Sequence, residues 1–168
     1  MDTPRIYVAC LAAYNSGILY GEWIRADQTS DDIRDEIQTM LAASPIKGSE
    51  EWAIHSFEGF CDKTLSEYED LDTVANLAEF IIKHGDLGGA LLGEYSVEEA
   101  EVLLEDHYHG AYDSEVDFTY TIFEDCYAGA IPENLMCYFD YVAFTRDLFM
   151  CDYFSVEACN KMHVFSHY

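Results

Sequence analysis

Residues 5–14 (RIYVACLAAY) are an apolar run rich in Ile, Val and Tyr, the pattern of a buried strand. Asn15-Ser16-Gly17 supplies turn chemistry, and residues 18–24 (ILYGEWI) return as a second strand, making a hairpin. Beyond it the period changes from two to about 3.6. Ile33, Ile37, Met40 and Leu41 fall on one face of a helix that Thr29 or Ser30 can cap and that runs to about Ala43. Ser44-Pro45 stops this helix, Lys47-Gly48 turns the chain, and residues 51–57 (EWAIHSF) alternate as a third strand. Residues 1–62 therefore read as a ββαβ unit with one helix across a small sheet.

The next stretch, 63–106, reads as helical. Ser66-x-x-Glu69 has the form of a capping box, followed by Leu71, Val74, Leu77, Ala78 and Ile81 at helical spacing and by Gly85 as a terminating glycine. Gly88-Gly89 reads as a hinge or the lead into a short helix over 90–92. A second box, Ser96-x-x-Glu99, opens a helix over 97–107. Residues 107–168 complete the chain as an α+β unit. Within them 114–127 is ambiguous: Val116, Phe118, Tyr120 and Ile122 alternate like a strand, yet Asp113 or Ser114 is a good N-cap with Glu115 and Asp117 in the first turn. Pro132 sits where a helix begins, with a stripe of Leu135, Tyr138, Phe139, Val142 and Leu148. Segments 149–154 and 162–165 read as closing strands around Asn160-Lys161. The fold class is thus α+β, built as a chain of small subdomains over 1–62, 63–106 and 107–168.

Charge changes this picture most. The chain carries 33 acids against 8 bases, a formal charge of −25, yet half its residues are hydrophobic and 15% are aromatic. Disordered acidic chains lack apolar groups to bury, so this one folds. It does so against self-repulsion that is strongest at low salt. The balance excludes a nucleic-acid binder, which needs a basic footprint, and an anionic membrane surface; no stretch has the length of a membrane span. The partner is instead cationic, a metal ion or a basic protein face, unless the charge serves only solubility or salt adaptation. Six cysteines without a C-x-x-C pair, and no secretory signal, indicate a cytoplasmic protein with reduced thiols mostly buried as small hydrophobes.

The acids are patterned. Asp31, Asp32, Asp35 and Glu36 lie off the apolar face of the first helix. Glu94, Glu98, Glu101 and Glu105 are spaced 4, 3 and 4, so the last three stack on one helical face, with neighbours about 5–6 Å apart. Asp106, Asp113, Glu115, Asp117, Glu124 and Asp125 continue the series. Duplex DNA bears one charge per roughly 1.7 Å of axis, so 25 net charges match about 42 Å of duplex. Carboxylates on rigid helices are therefore suited to the cationic groove of a DNA-binding protein. Enzyme chemistry has little support: G-x-S-x-G, H-E-x-x-H and Walker motifs are missing. No metal or cofactor site is indicated. His107 and His109, two apart, would not share a helical face, and Asp113, Glu115 and Asp117 lack the glycine and bidentate glutamate of a calcium loop. Arg146 reads as an internal charge partner. An acidic adaptor for another basic, histone-like DNA-binding protein would share these electrostatics.

Specific blocks narrow the choice. RIYVACLAAYNSGILYGEW (5–23), SPIKGSEEWAIHSFEGF (44–60) and LSEYEDLDTV (65–74) lead to YHGAYDSEVDF, with Tyr108, Gly110, Tyr112, Ser114, Asp117 and Phe118, and then to IPENLMCYFDYVAFTRDL (131–148). Over nearly its whole length the chain resembles the ArdA-type antirestriction proteins, whose antirestriction motif those six residues match. The resemblance implies an elongated, curved homodimer of small subdomains, joined through the C-terminal subdomain, that looks like bent B-form DNA. It implies occupation of the DNA-binding groove of type I restriction–modification enzymes, on behalf of a plasmid or transposon entering a cell. It also favours a helix over 114–127. Two positions depart from the pattern: Ser56, where the family usually has Asp, and Thr119, where it usually has Ala.

Overall fold

A computed structural model describes residues 3–126 and 128–167, which form two compact units, the first ending at Val97 and the second beginning at Glu98. The chain is mixed α+β, with a three-stranded antiparallel sheet in each unit.

In the first unit β1 (Arg5–Cys10) lies between β2 (Gly21–Arg25) and β3 (Trp52–Glu58). The expected strand over 5–14 ends early. Leu11-Ala12-Ala13 are strong helix formers without β-branching, and Leu11–Asn15 make a single helical turn, α1, before Gly17 reverses the chain at φ +76°. The second strand accordingly starts at Gly21 rather than Ile18. A Cβ on Gly21 would sit 2.3 Å from the Val8 carbonyl oxygen, so only glycine permits this approach of β2 to β1. A bulge follows Tyr7: Tyr7 pairs with Ser56 and Val8 with Ile54, leaving His55 as the extra residue.

α2 (Ser30–Ala42) is capped by Thr29, whose Oγ1 accepts from the Asp32 N–H at 3.2 Å. It buries Ile33, Ile37, Met40 and Leu41, as their spacing predicts, against β2 and α3 (Leu71–Leu91). The Ser66–Glu69 pair does form, but as a turn ahead of the helix: Glu69 accepts from the Ser66 N–H and Oγ, while Asp70 caps α3 by accepting from the Asp72 N–H at 2.8 Å. Gly85, at φ +61° and ψ −144°, is non-helical and closes the first helical part of α3, as expected of a terminating glycine. Helix resumes through buried Gly88 and Gly89, where a Cβ on Gly88 would come within 2.7 Å of the His84 Cβ.

α4 (Val97–Val102) is shorter than the 97–107 expectation. It passes into a π-helical turn, Leu103–His107, and then into β4 (Tyr108–Tyr112), a strand that the pattern did not announce. α5 (Glu115–Cys126) settles the ambiguity at 114–127 in favour of a helix as far as Cys126; Tyr127 lies outside the described residues. The single stripe expected after Pro132 is divided. A 3₁₀ segment, Glu133–Tyr138, gives way to extended Phe139, and α6 (Tyr141–Cys151) begins afresh because the Asp140 carboxylate accepts from the Ala143 N–H at 3.0 Å. Phe149 is thus helical, and the closing hairpin is β5 (Tyr153–Ala158) and β6 (Lys161–Ser166). Its two-residue turn is Cys159-Asn160, both at positive φ, one position before the expected Asn160-Lys161. Strand order is β4-β6-β5.

Aromatic rings fill this second unit. Phe118 meets Tyr112, Tyr153 and Phe149 edge-on at centroid distances of 5.2, 4.8 and 5.8 Å. Phe123 packs with Phe139 and Tyr141 at 4.6 and 5.1 Å. Such pairs add about 0.5–1.5 kcal/mol each beyond area burial. The cysteines play little part in either core. Cys10 is buried, but Cys61, Cys126, Cys137, Cys151 and Cys159 are exposed, a correction to the expectation of buried thiols that follows from their places at turns and helix ends.

Candidate anionic surface and the motif that supports it

α2 turns its apolar stripe inward, so Asp31, Asp32, Asp35 and Glu36 are all exposed. Asp31 pairs with Arg34 at 2.6 Å, while Asp32 accepts from the Thr29 hydroxyl and Glu36 from Gln28. Arg34 offsets the charge of Asp31, whereas Thr29 and Gln28 fix Asp32 and Glu36 without bringing a counter-charge. Asp31–Asp35 and Asp32–Glu36 are i, i+4 neighbours, so two files of carboxylates run along the helix about 5–6 Å apart.

The glutamate row of the 94–105 segment is less regular than its spacing suggests. Glu94 lies outside any helix and is exposed. Glu98 and Glu105 are exposed and Glu101 is half-buried. The π turn, with its i→i+5 bonding, inserts an extra residue before the next turn and carries Glu105 and exposed Asp106 out of register with α4.

In the second unit Asp117, Glu124 and Asp125 lie exposed on α5. Asp113, also exposed, pairs with Lys161, and half-buried Glu115 accepts from the Ser155 hydroxyl at 2.7 Å. Asp113, Glu115 and Asp117 are thus committed to three different partners and do not converge as a calcium loop would. Arg146 is exposed and pairs with Asp147 at 3.2 Å, the internal charge partner expected of it.

The block 108–118 proves to be a strand–corner–helix element whose conspicuous residues hold the unit together. The Tyr108 hydroxyl lies 2.8 Å from His163 Nδ1 on β6, and its ring stacks on the same histidine. Burial pushes the His163 pKa down and that of the Tyr108 phenol up. Gly110 adopts φ +116°, open only to glycine without strain, at the irregularity between β4 and β6. Tyr112 donates to the His109 carbonyl at 3.0 Å. Ser114 caps α5, accepting from the Asp117 N–H at 3.2 Å and donating to the Asp117 carboxylate at 2.7 Å. Phe118 is buried at the centre of its aromatic cluster. His107 bonds Ser166, and His109 lies against Phe118 and Tyr153. Of these six conspicuous residues Asp117 supplies exposed charge.

The two departures differ in kind. Ser56 is exposed on β3, so it changes surface charge and leaves the core alone. Thr119 is fully buried. Its hydroxyl lies 2.9 Å from that of Thr145 on α6 and 2.9 Å from the Glu115 carbonyl, a polar contact between helices that sequence spacing could not reveal.

Among the described residues, no helix is long and apolar enough to cross a membrane. Among curated proteins, none matches the chain. A family model described as antirestriction protein (ArdA) matches residues 6–159, nearly the whole length, and includes every residue of the 108–118 block. The chain belongs to the ArdA family of antirestriction proteins.

Proposed function

We propose that this antirestriction protein acts as a mimic of B-form DNA. It occupies the DNA-binding groove of type I restriction–modification enzymes in the cytoplasm and blocks them without catalysis of its own. The observation that carries this reading is the outward setting of carboxylates on stiff elements. With 33 acids and 8 bases, pairing of every base would still leave a charge of −25. On α2 and α5 the acids project from helices whose opposite faces are buried, so their spacing is set by backbone geometry. The i, i+4 interval of about 5–6 Å is of the order of the phosphate spacing along a strand. The anionic surface would comprise Asp31, Asp32, Asp35, Glu36, Glu94, Glu98, Glu101, Glu105, Asp106, Asp113, Glu115, Asp117, Glu124 and Asp125, with the six motif residues as scaffold.

The working form is a homodimer joined through the second unit. Tyr138, Val142 and Met150 are 81%, 69% and 72% exposed there, on α6 and the turn before it. An acidic chain can associate with itself only where apolar surface interrupts its charge.

The test is cleavage of unmodified duplex by a purified type I enzyme in the presence of the protein. Inhibition that yields to added duplex supports the mimic. Inhibition undiminished in a large excess of duplex rejects direct competition, and tight binding to a histone-like protein with no effect on the enzyme would favour the adaptor.

A further inference from the structure

Within the first unit an aromatic cleft of about 590 Å³ opens between α1, β3 and the loop 61–70. Tyr14, His55, Leu65 and Tyr68 line it, with Glu67 at its edge. Tyr14 meets the His55 ring edge-on at a centroid distance of 4.9 Å. Tyr14 is 50% exposed and Tyr68 70%, so both are open to a ligand. The loop is held in place: the Ile54 N–H donates to the Glu67 carbonyl at 2.8 Å, fixing the backbone beside Tyr68.

A second cleft of about 560 Å³ shares Tyr68 with the first and is lined by Glu50, Glu51, Glu69 and Asp70. Glu69 and Asp70 are oriented by backbone N–H groups, the first by Ser66 and the second by Asp72, and so keep their charge while losing freedom. Arg34, which also borders this cleft, is turned to Asp31. Tyr68 is thus shared by an aromatic wall and a set of fixed carboxylates.

We propose that this cleft receives one lysine or arginine side chain of a basic partner. The aromatic faces would take its alkyl stem and cation, and Glu67 and the carboxylates of the second cleft its charge. An anion would be repelled here, and a purely apolar ligand would dehydrate carboxylates without compensating them. A cation on a hydrocarbon stem satisfies both surfaces. Applied to a restriction enzyme, the inference rests on the proposed function and adds a discrete anchor to an otherwise diffuse charge match.

Two arms test it. In the first, an acetylated, amidated Gly-Arg-Gly peptide is titrated into the protein while ring resonances of Tyr14, His55 and Tyr68 are followed by NMR, with the neutral citrulline peptide as control. Saturable shifts centred on these rings are expected for arginine alone, with Tyr68→Ala weakening binding about two- to five-fold and Tyr68→Phe retaining it. Equal shifts with citrulline, or Tyr68→Ala binding like the parent, would overturn the proposal. In the second, Tyr68→Ala is assayed as a restriction inhibitor and should be weaker by a similar factor. If the variant inhibits as well as the parent, the anchor is refuted and the mimic stands. If the parent itself does not inhibit, the mimic is refuted and the peptide arm decides the cleft alone.

Discussion

Replacing Thr119 with valine removes a buried hydroxyl while leaving the volume of the side chain nearly unchanged. In the parent, two hydroxyls on facing helices share two hydrogens among three contacts: Thr119 to the Glu115 carbonyl at 2.9 Å, Thr145 to the Tyr141 carbonyl at 2.8 Å, and each to the other at 2.9 Å. Valine at 119 leaves Thr145 able to donate to Tyr141, so no buried donor is stranded. The two hydrogens make at most two bonds in the parent and one remains in the variant, so the net cost is one hydrogen bond, about 1 kcal/mol. Thr119→Ala also removes a buried methyl group and should cost about 2 kcal/mol in all. Thr145→Val leaves Thr119 its bond to Glu115 and should again cost about 1 kcal/mol. The double valine variant loses both hydrogens and so both hydrogen bonds, and its cost should equal the sum of the single costs, about 2 kcal/mol. Urea titrations at fixed salt read this directly, with an unchanged m-value showing that the compact state is the same. Thr119→Val or Thr119→Ala as stable as the parent would refute the assigned contact. The outcome bears on function because α5 carries Asp117, Glu124 and Asp125, and its seat on α6 sets where they point.

Removal of the α5 cap by Ser114→Ala should cost about 1 kcal/mol, seen as a lower urea midpoint, whereas the exposed Ser56→Asp should leave the midpoint nearly unmoved. Added salt should raise the melting temperature, because the self-repulsion of 25 net charges is screened; a falling temperature would contradict this. His163 has its folded pKa lowered by burial, so the unfolded chain binds the proton first. Stability should therefore drop as pH falls through the ordinary histidine value of about 6.5, and His163→Gln should flatten that slope. Glu98→Gln and Glu105→Gln should each change inhibition only slightly; abolition by either would indicate a discrete site in place of a diffuse surface.

Where a pattern answered to one force, the sequence was a reliable guide. Ile33, Ile37, Met40 and Leu41 face the core because a 3.6 period has a single way to be buried, and Thr29 caps because its hydroxyl is placed to do so. Expectations failed where two local preferences competed. Leu11-Ala12-Ala13 are apolar enough for a strand but prefer a helical turn, and the Asp140 cap outweighs a stripe that otherwise runs from 135 to 148. β4 was hidden because glycine and histidine interrupt its alternation, and its partner β6 lies some fifty residues on. Of the anionic surface, composition and spacing disclosed the residues but not their setting. They could not foretell that Glu101 is half-buried, that Glu115 is tied to Ser155, or that the 108–118 motif is chiefly a scaffold. The Tyr14–His55–Tyr68 cleft had no signal at all, since its walls come from three separate segments.

The most direct measurement is the affinity of a type I restriction–modification enzyme for this protein across a salt series, alongside the same enzyme with duplex DNA. If carboxylates stand in for phosphates, both affinities fall steeply and linearly in log–log form, and each ligand displaces the other. Binding indifferent to salt, or a ternary complex in which the enzyme holds the protein and duplex together, would contradict the account.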